Sequence, residues 1–267
     1  LSILLFNKVM KRDFIGIGMY SVNFELEKAW QELFLLAGKL NPELALPVHF
    51  LNAVDKKNIL SNETRISHIC GLPLVSHYKK KLIPLLTPHF DLDGLKGPNY
   101  FSYFMVSQSS QINSVDETKG LVAAVNSHDS HSGANVFRRE IEVRRELGFF
   151  NNFYKKIVIT GSHKNSIQNI IDHATDIACV DAMSFFCLSR ANPKIANQLK
   201  IIGRSIISPA PPFVTHKDNP LCSSNSLIEA LNTALNLLDQ RFKDNLKIKR
   251  FSFVPLAKYD SIINQQD

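Results

Sequence analysis

Short apolar runs and amphipathic stripes alternate from one end of the chain to the other. Phe14 to Met19 has the length and apolar content of a buried strand. Leu26, Trp30, Leu33, Phe34 and Ala37 then recur at i, i+4, i+7, i+8 and i+11, which is one face of a helix. Pro47 to Leu51 and Ile66 to Cys70 read as the next strands, followed by Leu82 to Leu86, which Thr87-Pro88 is expected to interrupt. Gly94, Gly97 and Pro98 mark loops before Tyr100 to Val106, an aromatic and β-branched run suited to leaving one sheet and entering another.

A second set of strands and helices follows. Leu121 to Val125, Ile157 to Thr160, Ile177 to Val180 and Leu199 to Ile202 read as strands. Ser132 to Leu147 and the stripe Ile167, Ile170, Ile171 and Ala174 read as helices between them. After a bend at Pro209, Pro211 and Pro212, a last amphipathic helix carries Leu227, Leu231, Ala234, Leu235 and Leu238 on one face. The pattern is that of an α/β protein with largely parallel sheets. The economical arrangement is two lobes, residues 1–103 with 206–267 and residues 104–205, with crossings near Tyr103 to Val106 and Gly203 to Ile207. Two such crossings make a hinge, and small-molecule sites favour the cleft beneath one.

Composition agrees with a globular protein long enough for two cores: 267 residues, 45% hydrophobic and 21% charged. Lys and Arg exceed Asp and Glu by 31 to 24, so anionic partners are favoured in general. The basic residues come in short separated groups such as Lys79 to Lys81, with no basic arm and interleaved aromatics, so no nucleic-acid partner is expected. Cys70, Cys179, Cys187 and Cys222 show no C-x-x-C spacing; Cys70 and Cys179 read as small residues buried in strand-like runs. Leu1 to Phe6 is too short to span a bilayer and lacks the flanks of a complete export signal. An extracytoplasmic location is expected if such a signal was removed upstream, and a cytoplasmic one otherwise.

The chemistry concentrates in Asn126-Ser127-His128-Asp129-Ser130-His131-Ser132-Gly133, where a strand ends and a helix begins. The first turn of a helix leaves N–H groups unpaired and is partly positive, so with Ser hydroxyls it can hold an anion, and Gly133 lets that anion approach the backbone. The plainer reading is that Ser130 or Ser132 is only the N-cap. Thr160-Gly161-Ser162-His163 is a second strand end running into a helix, and His163 could donate to the same anion. Read alone, His163 is equally a histidine bonded locally at a helix start. A Ser130, His131 or His163, Asp129 triad lacks the Gly-x-Ser-x-Gly elbow, and the pair His128 and His131 lacks a further ligand set for zinc.

Gly71-Leu72-Pro73-Leu74-Val75, Gly97-Pro98-Asn99-Tyr100-Phe101-Ser102, Asn126 to Asn135, Thr160 to His163 with Ala178 to Asp181, and Pro212-Phe213-Val214-Thr215 together resemble the phosphate, phosphite and phosphonate substrate-binding proteins of ABC transporters. The order and spacing match over residues 14 to 240. The resemblance implies a two-lobed type 2 periplasmic-binding-protein fold with two crossover strands as hinge. It also implies a small anionic ligand, a membrane permease as partner, a monomer, no cofactor and no chemistry performed. It places the oxyanion on Ser130, Ser132 and Gly133, adds a donor from His163 and tyrosines at Tyr20 and Tyr100, and sets Asp181 toward the ligand's substituent. No second carboxylate matches the one that aminoalkylphosphonate binders use, since Met183 and Ser184 follow instead. The same fold also serves ligand-sensing domains of regulatory systems, which is the alternative function.

Overall fold

The computed structural model describes residues 13–51, 64–219 and 224–263. Leu1 to Phe6 and Cys222, both weighed above, lie outside the described residues.

Strand β1 (Phe14–Ile17) leads into helix α1 (Phe24–Leu40), which begins where Asn23 accepts the Leu26 N–H at 2.9 Å. The stripe read from the sequence is the buried face of α1, with Ala29 added to it. Strands β2 (Val48–Phe50) and β3 (Thr64–His68) flank β1 in parallel. A helical turn, α2 (Gly71–Pro73), continues as a π turn through Leu74–Tyr78 into β4 (Leu82–Phe90). Strand β4 does not stop at Thr87-Pro88. Its first half pairs with one neighbour and its second half with another on the opposite side, so each half keeps an open edge, where proline removes no ladder bond.

Strands β5 (Asn99–Tyr100) and β6 (Ser102–Ser107) carry the chain into the second lobe. There β7 (Val122–Val125) runs into a continuous helical stretch from His131 to Arg144, with a π turn at each end and α3 (Val136–Arg139) in the middle. Helix α4 (Phe150–Phe153), β8 (Lys156–Ile159), α5 (His163–Ile171), β9 (Ile177–Asp181), α6 (Ala182–Ala191) and β10 (Leu199–Arg204) complete the lobe's chain path. Strands β11 (Ser208–Pro209) and β12 (Phe213–His216) return to the first lobe, which ends with α7 (Ser224–Leu237), α8 (Gln240–Leu246), β13 (Ile248–Ser252) and α9 (Leu256–Tyr259).

The first sheet has the order β13-β4-β12-β3-β1-β2 and the second β10-β6-β9-β7-β8. Each is mixed, which corrects the expectation of largely parallel sheets. The β1 and β7 pairs are parallel and joined through helices, whereas β12, β4 and β13, and β10, β6 and β9, pair antiparallel. Strands that bring the chain in from the other lobe can enter a sheet in either direction without a crossover helix.

The two passages between lobes lie side by side. Ser102 N–H donates to Ser205 Oγ at 2.9 Å and Ser205 N–H to the Ser102 carbonyl at 2.8 Å, while β5 and β11 pair just beyond. Tyr103 to Val106 are already inside the second sheet. Helix α6 packs on both lobes: Ala182, Met183 and Cys187 join the first lobe's core and Leu188 the second's. Its Arg190 Nε donates to Asn245 Oδ1 of α8 at 2.7 Å. The described cysteines, Cys70, Cys179 and Cys187, are free thiols.

Candidate functional site

The end of β7 leads into the helical run His131 to Arg144, whose Asn135 Nδ2 donates to the Ile262 carbonyl of the first lobe at 3.1 Å. Ser130 is the N-cap: its Oγ accepts the Gly133 N–H at 3.0 Å, so the plainer reading of this serine holds, while its hydroxyl hydrogen stays available to donate. The first turn is π-type, with Asn135 N–H donating to the Ser130 carbonyl at 3.0 Å. Ser132 Oγ lies 3.0 Å from His163 Nε2, the first residue of α5. The two strand-end motifs therefore meet, as their placement at neighbouring strands β7 and β8 allows.

Gly133 is needed for a close approach. A Cβ built there would lie 1.8 Å from Asn126 Oδ1 and 3.3 Å from His163 Cε1. The Asn126 amide thus rests directly over the helix start, with Oδ1 buried and without a partner among the described residues.

Tyr20 and Asp181 meet from opposite lobes. The Tyr20 hydroxyl donates to Asp181 Oδ2 at 3.0 Å, and Ser184 N–H donates to Oδ1 at 2.7 Å, making Asp181 the N-cap of α6. Burial pushes the Asp181 carboxyl up to about 6, although the bonds from Ser184 and Tyr20 favour its ionised form. Tyr20 sits in left-handed backbone, φ 57°, and the Trp30 indole N–H donates to its carbonyl at 3.0 Å. Such a conformation costs on the order of 1 kcal/mol and clusters at functional sites.

Tyr100 is buried, its ring 6.0 Å from that of His131, and its hydroxyl has no partner among the described residues. Burial raises both tyrosines well above the ordinary phenol range, so both stay protonated donors.

Two residues gain importance that the sequence did not show. Cys70, read as a strand-interior residue, follows β3, and its sulfur lies near the backbone of Leu72 beside it and of His131 in the other lobe. Burial raises its thiol, which is therefore neutral. His131 is fully buried, whereas His128 is exposed, so the two do not share a metal-binding face. Among the described residues no group of three or more His, Cys, Asp and Glu is placed to hold a metal ion. Asp129 is hydrogen-bonded to Ser127, and His163 to Ser132 rather than Ser130, so no Ser-His-Asp relay is assembled.

Comparison with known proteins agrees with this geometry. Residues 24–259 match the family model described as ABC transporter, phosphonate, periplasmic substrate-binding protein. No curated protein matches the sequence. Among solved structures, a binding protein component of an ABC phosphonate transporter from Pseudomonas aeruginosa is 17% identical, with a TM-score of 0.73 over 95% of this chain and 85% of that one. PhnD1 from Prochlorococcus marinus, solved with methylphosphonate, is 17% identical, with a TM-score of 0.71 over 96% and 97%. A histidine kinase sensor domain is 12% identical, with a TM-score of 0.53 over 95% of each chain. At these identities the structural likeness speaks for the fold, a two-lobed type 2 periplasmic-binding-protein fold, and the family match covers most of the chain. The chain belongs to the periplasmic substrate-binding proteins of phosphonate ABC transporters.

Proposed function

We propose that the cleft captures a small phosphorus oxyanion or unsubstituted phosphonate on the helix start of His131 to Arg144 and presents it to a membrane permease, without transforming it. The observation that carries this reading is the meeting of Ser132 Oγ and His163 Nε2 at 3.0 Å beside Gly133, over the first turn of that helix. Hydroxyl and imidazole groups converge there at the partly positive start of a helix, which is the kind of donor set an oxyanion requires. In this reading Ser130, Ser132, Gly133 and His163 hold the anion, Tyr20 and Tyr100 face them from the other lobe, and Asp181 stands toward the ligand's substituent. Residues 1–103 with 206–267 form one lobe and 104–205 the other. The protein acts as a monomer outside the cytoplasm; no helix among the described residues is long and apolar enough to cross a membrane.

A sensing role uses the same fold, as the kinase sensor domain illustrates, but the family match favours transport. The test is a thermal-shift panel of phosphate, phosphite and methylphosphonate, with sulfate as control. A ligand at about 100 times its Kd stabilises by about 2.7 kcal/mol. No shift with any phosphorus oxyanion would refute the reading.

A further inference from the structure

The roles of the two nitrogens of His131 follow from its neighbours. Arg138, which can only donate, gives an Nη2 hydrogen to Asn135 Oδ1 at 3.0 Å and so sets the orientation of that amide. Asn135 Nδ2 then spends one hydrogen on the Ile262 carbonyl at 3.1 Å and the other on His131 Nδ1 at 2.9 Å. A carbonyl only accepts, so the amide cannot be reversed. Nδ1 of His131 is therefore an acceptor, and the neutral ring carries its hydrogen on Nε2. Burial holds this imidazole neutral by depressing its pKa to about 3, with Arg139 adding to the effect.

Nε2–H is thus a buried donor, and among the described residues no group accepts from it. The Tyr100 hydroxyl, on the other lobe, is likewise buried and without a partner among the described residues. Native structures rarely leave such groups unsatisfied, and an orphan of this kind calls for an explanation. Two of them at facing residues of a ligand cleft have a common one. We propose that His131 Nε2–H and the Tyr100 hydroxyl donate to an oxygen of the bound phosphorus oxyanion, forming a neutral donor pair that bridges the lobes. The inference rests on the helix start holding that oxyanion, and it adds a contact distinct from the Ser132 and His163 pair. Its ligand must present at least one oxygen toward the lobe of Tyr100.

Two measurements on the whole chain decide it. In nitrogen-15 histidine spectra of the wild type, His131 is protonated at Nε2 and not at Nδ1 from pH 6 to 8, and methylphosphonate or phosphite moves its Hε2 resonance downfield. A hydrogen on Nδ1, or no movement at saturation, overturns the proposal. By calorimetry, His131→Leu and Tyr100→Phe each lose about tenfold or more in affinity for methylphosphonate. His131→Gln, which keeps an amide donor at similar reach, stays within about threefold of wild type. Wild-type affinity in His131→Leu would overturn this inference and leave the helix-start reading standing, whereas a wild type that binds no phosphorus oxyanion would overturn both. Should His131→Leu not fold, the spectra of the wild type still decide.

Discussion

The Tyr20 hydroxyl donates to Asp181 Oδ2 at 3.0 Å across the cleft, joining a residue of the first lobe in left-handed backbone to the buried N-cap of a helix in the second. The two are 161 residues apart, and the bond exists only where the lobes meet. It gives Asp181 two duties, capping α6 through Oδ1 and receiving Tyr20 through Oδ2.

The first prediction concerns the charge of that carboxylate. Its folded pKa of about 6 lies above the ordinary 3.8, so Asp181 favours folding most at low pH and that contribution is lost as pH rises from about 4 through about 6. At about 1.4 kcal/mol per pKa unit, ionisation costs on the order of 3 kcal/mol at neutral pH. Asp181→Asn keeps an oxygen that can cap α6, turns an amide hydrogen toward the Tyr20 oxygen, which can accept it, and removes the charge. The variant is expected to unfold at higher urea than wild type at pH 7.5 and to match it near pH 4. Lower stability at pH 7.5 would contradict the assignment.

Ser132→Ala removes the hydroxyl that meets His163 and leaves the Ser130 cap untouched. The unliganded fold should change little. Affinity for methylphosphonate should fall roughly tenfold or more, the scale of losing one charge-assisted hydrogen bond. Calorimetry that finds every oxyanion bound as in wild type would remove Ser132 from the site.

At Gly133 a methyl group would enter the space of the Asn126 amide. Gly133→Ala should push that side chain off the helix start and cover the backbone N–H groups an anion needs. A binding loss of about tenfold or more is expected, against a far smaller change in melting temperature, because Asn126 is half-buried and can swing outward. Equal binding by Gly133→Ala and wild type would place the anion elsewhere.

Ligand class is the fourth test. Phosphite, phosphate or methylphosphonate is expected to stabilise the protein more than an aminoalkylphosphonate does. Asp181 already accepts from Ser184 and Tyr20, and an ammonium group drawn into the cleft beside it would exchange hydration for a carboxylate that is partly spoken for. A larger thermal shift with 2-aminoethylphosphonate than with the three others would reverse this expectation.

Much of the scaffold could be read from local pattern, because period and punctuation are local properties. The α1 stripe, the strand β7 before a Ser-rich helix start and the α5 start at His163 all follow from spacing within about a dozen residues. Helix α6 was not legible for a physical reason: it buries Met183 and Cys187 against one core and Leu188 against another, so its apolar residues do not form a single stripe. Strand β4 hid behind Pro88, which is tolerated only because each half of the strand keeps one open edge. The residue types of the site, hydroxyls and an imidazole at two strand ends, were visible in the sequence. Which of them face each other was not, since Tyr20 with Asp181 and Ser132 with His163 are set by how the lobes and sheets pack. The same holds for His131, whose tautomer depends on an amide oriented by Arg138 and on a carbonyl at Ile262 that only the folded chain brings beside it. Spacing along a chain specifies elements, while the partner of a buried polar atom is decided by contacts between segments far apart in sequence.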